Sequence, residues 1–321
     1  MKHHKAVLWG IAAACVFGCA DPSSETAETG NLKIRSYSAA YTDPADITAE
    51  GPIYAILDAE YPDGSVKTVV TDALGSYDFG SVNAGTYRIT PRYVNGAAAT
   101  EVTVRANENA EATIVTPVIE TAYYLLNPNQ APVNNAEIRE ALTKAVVRQE
   151  IIAAAAEDVD PLYSLLPAKL SGPWCSGAAA AVEAVGDSRE IVGTDALELT
   201  LSYNNYAINQ LIAEEVEAQW EAIGASVTVN LNGVSWEDFV ALRDENPSFQ
   251  AARGGWRFDS NNPLFIFKAQ AFIDDPAYLA LLQETETHLQ NGQILDFEAG
   301  IVALSDFVMD NYLVIPLYQS K

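Results

Sequence analysis

The stretch GGWRFDSNNP, residues 254–263, sets an aromatic face beside a carboxylate, Trp256 and then Asp259 three positions on. That pair suits an ammonium group. An indole attracts a cation through its ring quadrupole, and a carboxylate binds one by charge-assisted hydrogen bonds. The same residues also have a purely local reading. Asp259 can close an Asx-turn, and Asn262 before Pro263 makes a helix N-cap with proline at the first helical position. The sequence supports both. Tyr203, Asn204 and Asn205 end a segment, LELTLSYNN, that reads as a strand. Ligands of α/β sheets gather at strand ends, so these three are weaker candidates for the same rim.

Other chemistries are poorly supplied. The chain has no GxSxG, no HExxH, no zinc-type cysteine pair and no phosphate loop. Carboxylates are abundant, yet no pair stands out. Cys175, in GPWCSG, has no neighbour that would lower its pKa and reads as structural. His288 borders the apolar stripe of its helix and reads as a surface residue. No catalytic residue, metal site or cofactor is assigned, and the chain reads as a non-enzyme.

The charge balance is lopsided, 18 Lys and Arg against 43 Asp and Glu in 321 residues. Such an excess repels phosphate backbones and excludes nucleic acid as a partner. It favours cationic solutes at long range, and it equally serves as a solvating surface. With 49% hydrophobic residues the chain can build real cores in more than one domain.

The first residues set the compartment. MKHHK is basic, and AVLWGIAAACVF is apolar but too short to span a bilayer. VFGC follows and resembles the bacterial lipobox, in which the cysteine after the cleavage point carries lipid. Phe17 and Val16 depart from the usual residues there, and Cys15 is a weaker competing position. The expectation is a signal peptide over 1–18, lipid on Cys19, and a flexible polar tether over 19–48. An ordinary cleaved signal is the alternative. If Cys19 is lipidated, Cys175 has no intrachain partner and no disulfide framework exists.

From Gly51 to Val115 the hydrophobic period is two. PIYAILD, VKTVVTD, SYDFGSV, TYRITPRYV and TEVTVRA are separated by turn signals, which predicts a small β-sandwich over 49–117. Residues 116–135, with three prolines, read as a connection. Beyond them the period becomes helical at Ile138, Leu142, Val146 and Ile151, with Asn134 and Glu137 as a capping pair. Strands LELTLSYNN, SVTVNL, SFQAARGGWRF and YLVIPLY alternate with helices, one of them opened by Ser235 and Asp238. Pro316 implies an edge or a bulge in the last strand. This alternation predicts an α/β domain over 118–321, with apolar faces complete enough to fold alone.

Two resemblances follow from these segments. TDALGSYDFGSVNAGTYRI resembles the carboxypeptidase-regulatory-like, or prealbumin-like, module through Thr71, Asp72, Gly75, Tyr77, Phe79, Val82, Gly85, Tyr87 and Ile89. Such modules are mostly non-catalytic spacers. VNNAEIREALTKAVVRQEII, LYSLLPAKLSG, LTLSYNNYAINQLIAEEVEAQWEAIGASVTVNLNGVSWEDFV, RGGWRFDSNNP and VIPLY, in that order, resemble the second lobe of the family-5 extracellular solute-binding proteins of ABC importers. Val147 departs from that pattern, where an Asp is usual. The resemblance spans about residues 123–321 and implies a periplasmic-binding-protein type II lobe. It places Trp256 and Asp259 at a cleft, with Asp259 meeting a peptide's amino terminus. In that family the solute lies between two lobes, whereas here a sandwich precedes the second lobe. The implied protein is a lipid-anchored, exported cell-envelope lipoprotein that recognises a peptide or small cationic solute. Its partners would be the membrane, an ABC permease or a protein supplying the opposing lobe. The competing expectation is an adaptor lipoprotein that has lost solute binding and uses the lobe for protein interaction.

Overall fold

The computed structural model describes residues 28–38, 54–155, 158–174, 180–193, 196–258 and 260–321. Cys19, Cys175 and Asp259 lie outside the described residues, as does the expected signal peptide.

Residues 29–116 form two small sheets. One has the order β4-β1-β7, from β1 (Thr29–Ser38), β4 (Ser76–Asn83) and β7 (Asn109–Thr116). The other has the order β3-β2-β5-β6, from β2 (Ile56–Glu60), β3 (Val66–Val70), β5 (Gly85–Pro91) and β6 (Thr100–Val104). Alternate residues of both sheets meet in one apolar cluster that includes Leu32, Ile34, Leu57, Tyr87, Ile89 and Ile114. The turn at 71–75 shows why its residues are what they are. Asp72 Oδ1 accepts the Leu74 and Ser76 N–H groups at 2.8 Å, and Gly75 takes φ 70.

One expectation is corrected here. Residues 29–38, assigned to the tether 19–48, are the middle strand of the first sheet. Leu32, Ile34 and Ser36 are buried while Lys33 and Arg35 face outward, so NLKIRS has the period-two signature that its polar composition masks.

The third sheet has the order β11-β10-β12-β8-β13-β9. Its strands are β8 (Ile119–Leu126), β9 (Val159–Pro161), β10 (Leu197–Asn204), β11 (Val227–Val234), β12 (Ala251–Phe258) and β13 (Val314–Ser320). β10 is parallel to β11 and β12, whereas β8 is antiparallel to both β12 and β13. β8 falls within the stretch expected to be a connection. It is buried on both faces, so IETAYYLL is a near-continuous apolar run without alternation. The register of β13 against β8 shifts between Pro316 and Tyr318, as a proline bulge requires.

Helices cover both faces of this sheet. α1 (Ala136–Ala145), α2 (Arg148–Ala155) and α4 (Ala207–Glu221) pack Leu142, Ile151, Ile212, Val216 and Trp220 against Tyr124, Leu201 and Ile315. α3 (Val185–Val192) lies beside α1. α7 (Pro276–Gln290) and α8 (Ile294–Asp310) pack Tyr278, Phe297, Ile301 and Val308 against Tyr123, Leu125 and Phe258 on the other face. α5 (Trp236–Val240) opens on Ser235, whose Oγ accepts the Asp238 N–H, and continues as a π-helical turn over Ala241–Glu245. α6 (Leu264–Lys268) is a single short turn. The cap of α1 is Asn135, not Asn134, since the Asn135 side chain accepts the Glu137 N–H.

The α/β lobe is not closed off from the two small sheets. Ile56 and Tyr93 belong to the same apolar cluster as Phe297 and Phe258. Arg92 pairs with Asp58 at 3.0 Å and with Glu298 of α8 at 2.9 Å, and the Tyr93 hydroxyl donates to Glu298 at 2.8 Å. Residues 118–321 therefore complete their core with side chains from the β region, contrary to the expectation of a self-contained lobe.

Candidate functional site

β10 ends at Asn204. Its register with β12 pairs Ser202 with Ala252, so Asn204 stands level with Gly254, and β12 runs on to carry Trp256 past the end of its neighbour. α4 and α5 begin just beyond β10 and β11. Between these ends lies a cavity of about 170 Å3 whose lining includes Asn204, Asn209, Trp236, Arg243, Arg253 and the Gly254–Gly255 backbone.

The two glycines of the opening stretch have a packing cause. A Cβ on Gly254 would collide with the ring of Tyr123, and one on Gly255 would press on the Thr121 carbonyl oxygen at 3.2 Å. Tyr123 thus occupies the space that a side chain at 254 would need, and Gly254 and Gly255 border the cavity.

Arg253 is the residue that sequence reasoning missed. It is 8% exposed. Its Nη1 donates to the carbonyls of Tyr123 and Gly254, its Nη2 donates to the Tyr318 hydroxyl at 3.2 Å, and its guanidinium lies 5.7 Å from the Tyr318 ring centre. Nε has no partner, and no carboxylate among the described residues pairs with this cation. A buried charge held only by neutral acceptors carries a desolvation penalty that an anion in the cavity would offset. The available signal was a single cation in an otherwise uncharged AARGG run. Arg243 lines the same cavity but is already engaged, with both carboxylate oxygens of Asp244 at 2.6 Å and the Phe239 ring below it at 5.3 Å.

The structure separates the sequence candidates. Trp256 is half-buried on the face shared with Ala252 and Phe258, and its carbonyl accepts from Thr121 Oγ1 at 3.3 Å. Asn204 lines the cavity, its Oδ1 accepting from Asn209 Nδ2 at 2.7 Å. Tyr203 points to the opposite face, buried in the α4-side cluster and packed over Gly233, so it is a core residue and not part of the rim. Asn205 is exposed past the strand end, its N–H bound to the Val234 carbonyl at 2.8 Å. Asn262 Oδ1 accepts the Leu264 N–H at 3.1 Å, though the cap position of α6 falls on Pro263 and not on Asn262. Among the described residues no three His, Cys, Asp or Glu side chains gather to hold a metal ion, and no helix is long and apolar enough to cross a membrane.

The chain matches, over residues 81–272, the family described as bacterial extracellular solute-binding proteins, family 5, middle region. The match begins inside the small sheets and runs into the lobe. The periplasmic oligopeptide-binding protein OppA of Salmonella typhimurium is 29% identical in an alignment 224 residues long that covers 60% of this chain and 41% of that protein. The chain thus spans about two fifths of the length of that relative. Two solved structures share the fold. The substrate-binding domain of an oligopeptide ABC transporter from Bacillus anthracis has a TM-score of 0.57 at 16% identity, covering 63% of this chain and 45% of its own. The Escherichia coli murein tripeptide binding protein MppA has a TM-score of 0.51 at 16% identity, covering 81% of this chain and 60% of its own.

Proposed function

We propose, from the premise that this chain belongs to the family-5 bacterial extracellular solute-binding proteins, that it recognises short peptides on the outer side of a membrane for an ABC importer. The observation that carries the reading is Arg253, a buried cation without a described carboxylate partner at the mouth of a cavity. A peptide is a zwitterion. Its carboxylate would neutralise Arg253, and its ammonium group would meet Asp259 beside the Trp256 face. The oligopeptide-binding and murein tripeptide binding relatives agree with this class of solute.

The cavity is small. At about 170 Å3 it falls below the ~300–1,000 Å3 typical of sites that enclose their ligand. A second surface must therefore cover the rest of the peptide. Without one, an open ion pair contributes only ~0–1 kcal/mol, and binding is expected no tighter than about millimolar. Calorimetry with a mixed pool of short peptides tests this. Arg253→Met and Asp259→Asn should each weaken binding, and affinity unchanged in both variants would remove the site. Micromolar binding by a proven monomer would overturn the need for a second surface.

The same proposal places the protein in the cell envelope, held by lipid on Cys19 and facing its permease. Each buried CH2 of an acyl chain contributes ~0.8 kcal/mol, so several chains anchor firmly. Cys19→Ala should release the protein from membranes or block its processing. Continued membrane retention with normal processing would count against the anchor. The two small sheets fit a carboxypeptidase-regulatory-like sandwich, through the Asp72 turn and the buried Tyr87 and Ile89.

A further inference from the structure

Asn261 is 1% exposed, and the hydrogen bonds of its carboxamide all cross from the lobe to the β region. Its Oδ1 accepts the Ile56 N–H at 2.9 Å, and its Nδ2 donates to the carbonyls of Ile56 and Arg92. Ile56 opens β2, and Arg92 directly follows β5, the antiparallel neighbour of β2. The Arg92 N–H already donates to the Ile56 carbonyl at 2.9 Å. The Asn261 side chain therefore acts as one more peptide unit in the β2–β5 ladder, where the strands separate. Asn262 adds a weaker tie, its Nδ2 donating to the Tyr54 carbonyl at 3.4 Å.

A buried carboxamide is costly to leave unpaired, so this geometry has one low-energy arrangement. Arg92, which supplies one carbonyl, is itself tied to α8 through Glu298. The grip on Asn261 is thus referenced to the lobe core as well as to the β region. Asn261 lies two residues after Asp259 and five after Trp256. Fixing it fixes the C-terminal end of the segment assigned to the solute.

We propose that Asn261 is a positioning residue, and that the β region serves the solute site by holding the 256–261 segment through it. This rests on the peptide reading above. The β region then acts as a fixed support for the segment that carries the site, which a spacer would not be.

The test uses the full chain with Asn261→Ala and Asn261→Ser, the serine keeping one donor in case the alanine variant does not fold. Two measurements are made well below the melting temperature. The first is hydrogen exchange of residues 254–260 compared with Val227–Val234 of β11, and the second is affinity for the peptide pool. Exchange in 254–260 is expected to rise about ten-fold with Val227–Val234 unchanged. Peptide affinity is expected to fall about five-fold or more. A rise of similar size in both segments would make Asn261 a general stability residue and overturn the proposal. Unchanged affinity despite a local rise would overturn it too. A wild-type chain that binds no peptide but keeps the local exchange response would defeat the peptide reading and leave the Asn261 grip standing.

Discussion

Of the arginines buried in the lobe, Arg139 and Arg253 are held differently. In the corner between α1 and α8, Arg139 is 5% exposed. Its Nε donates to the carbonyl of Asn311, the residue that caps the C-terminus of α8, at 2.9 Å, and its Nη1 donates to the carbonyls of Val133 and Asn134. Carbonyls at a helix C-terminus carry its partial negative charge, so this cation is compensated within the fold. At the end of β10, Arg253 has sheet carbonyls and a phenol, none at a helix terminus. The first arrangement is complete. The second has no carboxylate partner among the described residues. Burial of a charged group does not by itself mark a site; the state of its compensation does.

The largest expected effect follows from that contrast. Arg139→Met strands three carbonyls and should lower unfolding free energy by about 2–4 kcal/mol without changing peptide affinity in the folded protein. Arg253→Met also unpairs the Tyr123 and Gly254 carbonyls but removes a buried cation that no described carboxylate pairs, so its stability loss should be smaller than that of Arg139→Met while affinity falls. Urea titration and calorimetry on both variants measure this. Equal stability losses would erase the distinction between the regions.

Sequence legibility divided along physical lines. α4 was readable because Ile212, Val216 and Trp220 recur at helical spacing on one buried stripe, and α5 because Ser235 and Asp238 form a cap that needs no tertiary partner. β8 was not readable, since a strand buried on both faces has no alternation to detect. Tyr203 and Asn204 looked equivalent at a strand end. Only the tertiary packing around β10 decides that Asn204 lines the cavity and Tyr203 the core. Arg253 and Asn261 escaped for a shared reason. Each side chain is bonded to backbone more than a hundred residues away along the chain, and no local pattern encodes such partners.

A smaller effect concerns two buried tyrosines, one in the core on each face of the sheet. Burial pushes the Tyr124 phenol well above its usual value, and the hydroxyl has no hydrogen-bond partner among the described residues. Burial raises Tyr278 likewise, though its hydroxyl donates to the Phe267 carbonyl at 2.8 Å. The folded state therefore favours the neutral phenols. Their stabilisation is fully present below the unfolded value of about 10 and is lost as pH rises beyond it. Tyr124→Phe removes a buried, unpaired hydroxyl and should raise stability by about 0.5–1 kcal/mol. It should also reduce the alkaline loss, whereas Tyr278→Phe sacrifices a hydrogen bond and should destabilise at neutral pH. Thermal melts between pH 7 and about 11 separate the two. A destabilised Tyr124→Phe variant would mean that the hydroxyl is satisfied after all.

The smallest effect tests whether the cavity responds to available positive charge. Arg243 and Arg253 line the same space, but Asp244 already occupies Arg243 from a position 39% exposed. Asp244→Asn keeps the shape and removes the competing charge, so Arg243 becomes available to a peptide carboxylate. Since a partly exposed ion pair is worth only ~0–1 kcal/mol, the gain in affinity should not exceed about five-fold. It should shrink as salt is raised, because the released charge faces solvent. Calorimetry at low and high ionic strength reads both features. Weaker binding in Asp244→Asn would indicate that Asp244 itself orients Arg243 for the solute. That result would place both arginines, not Arg253 alone, among the groups the fold holds ready for an anion.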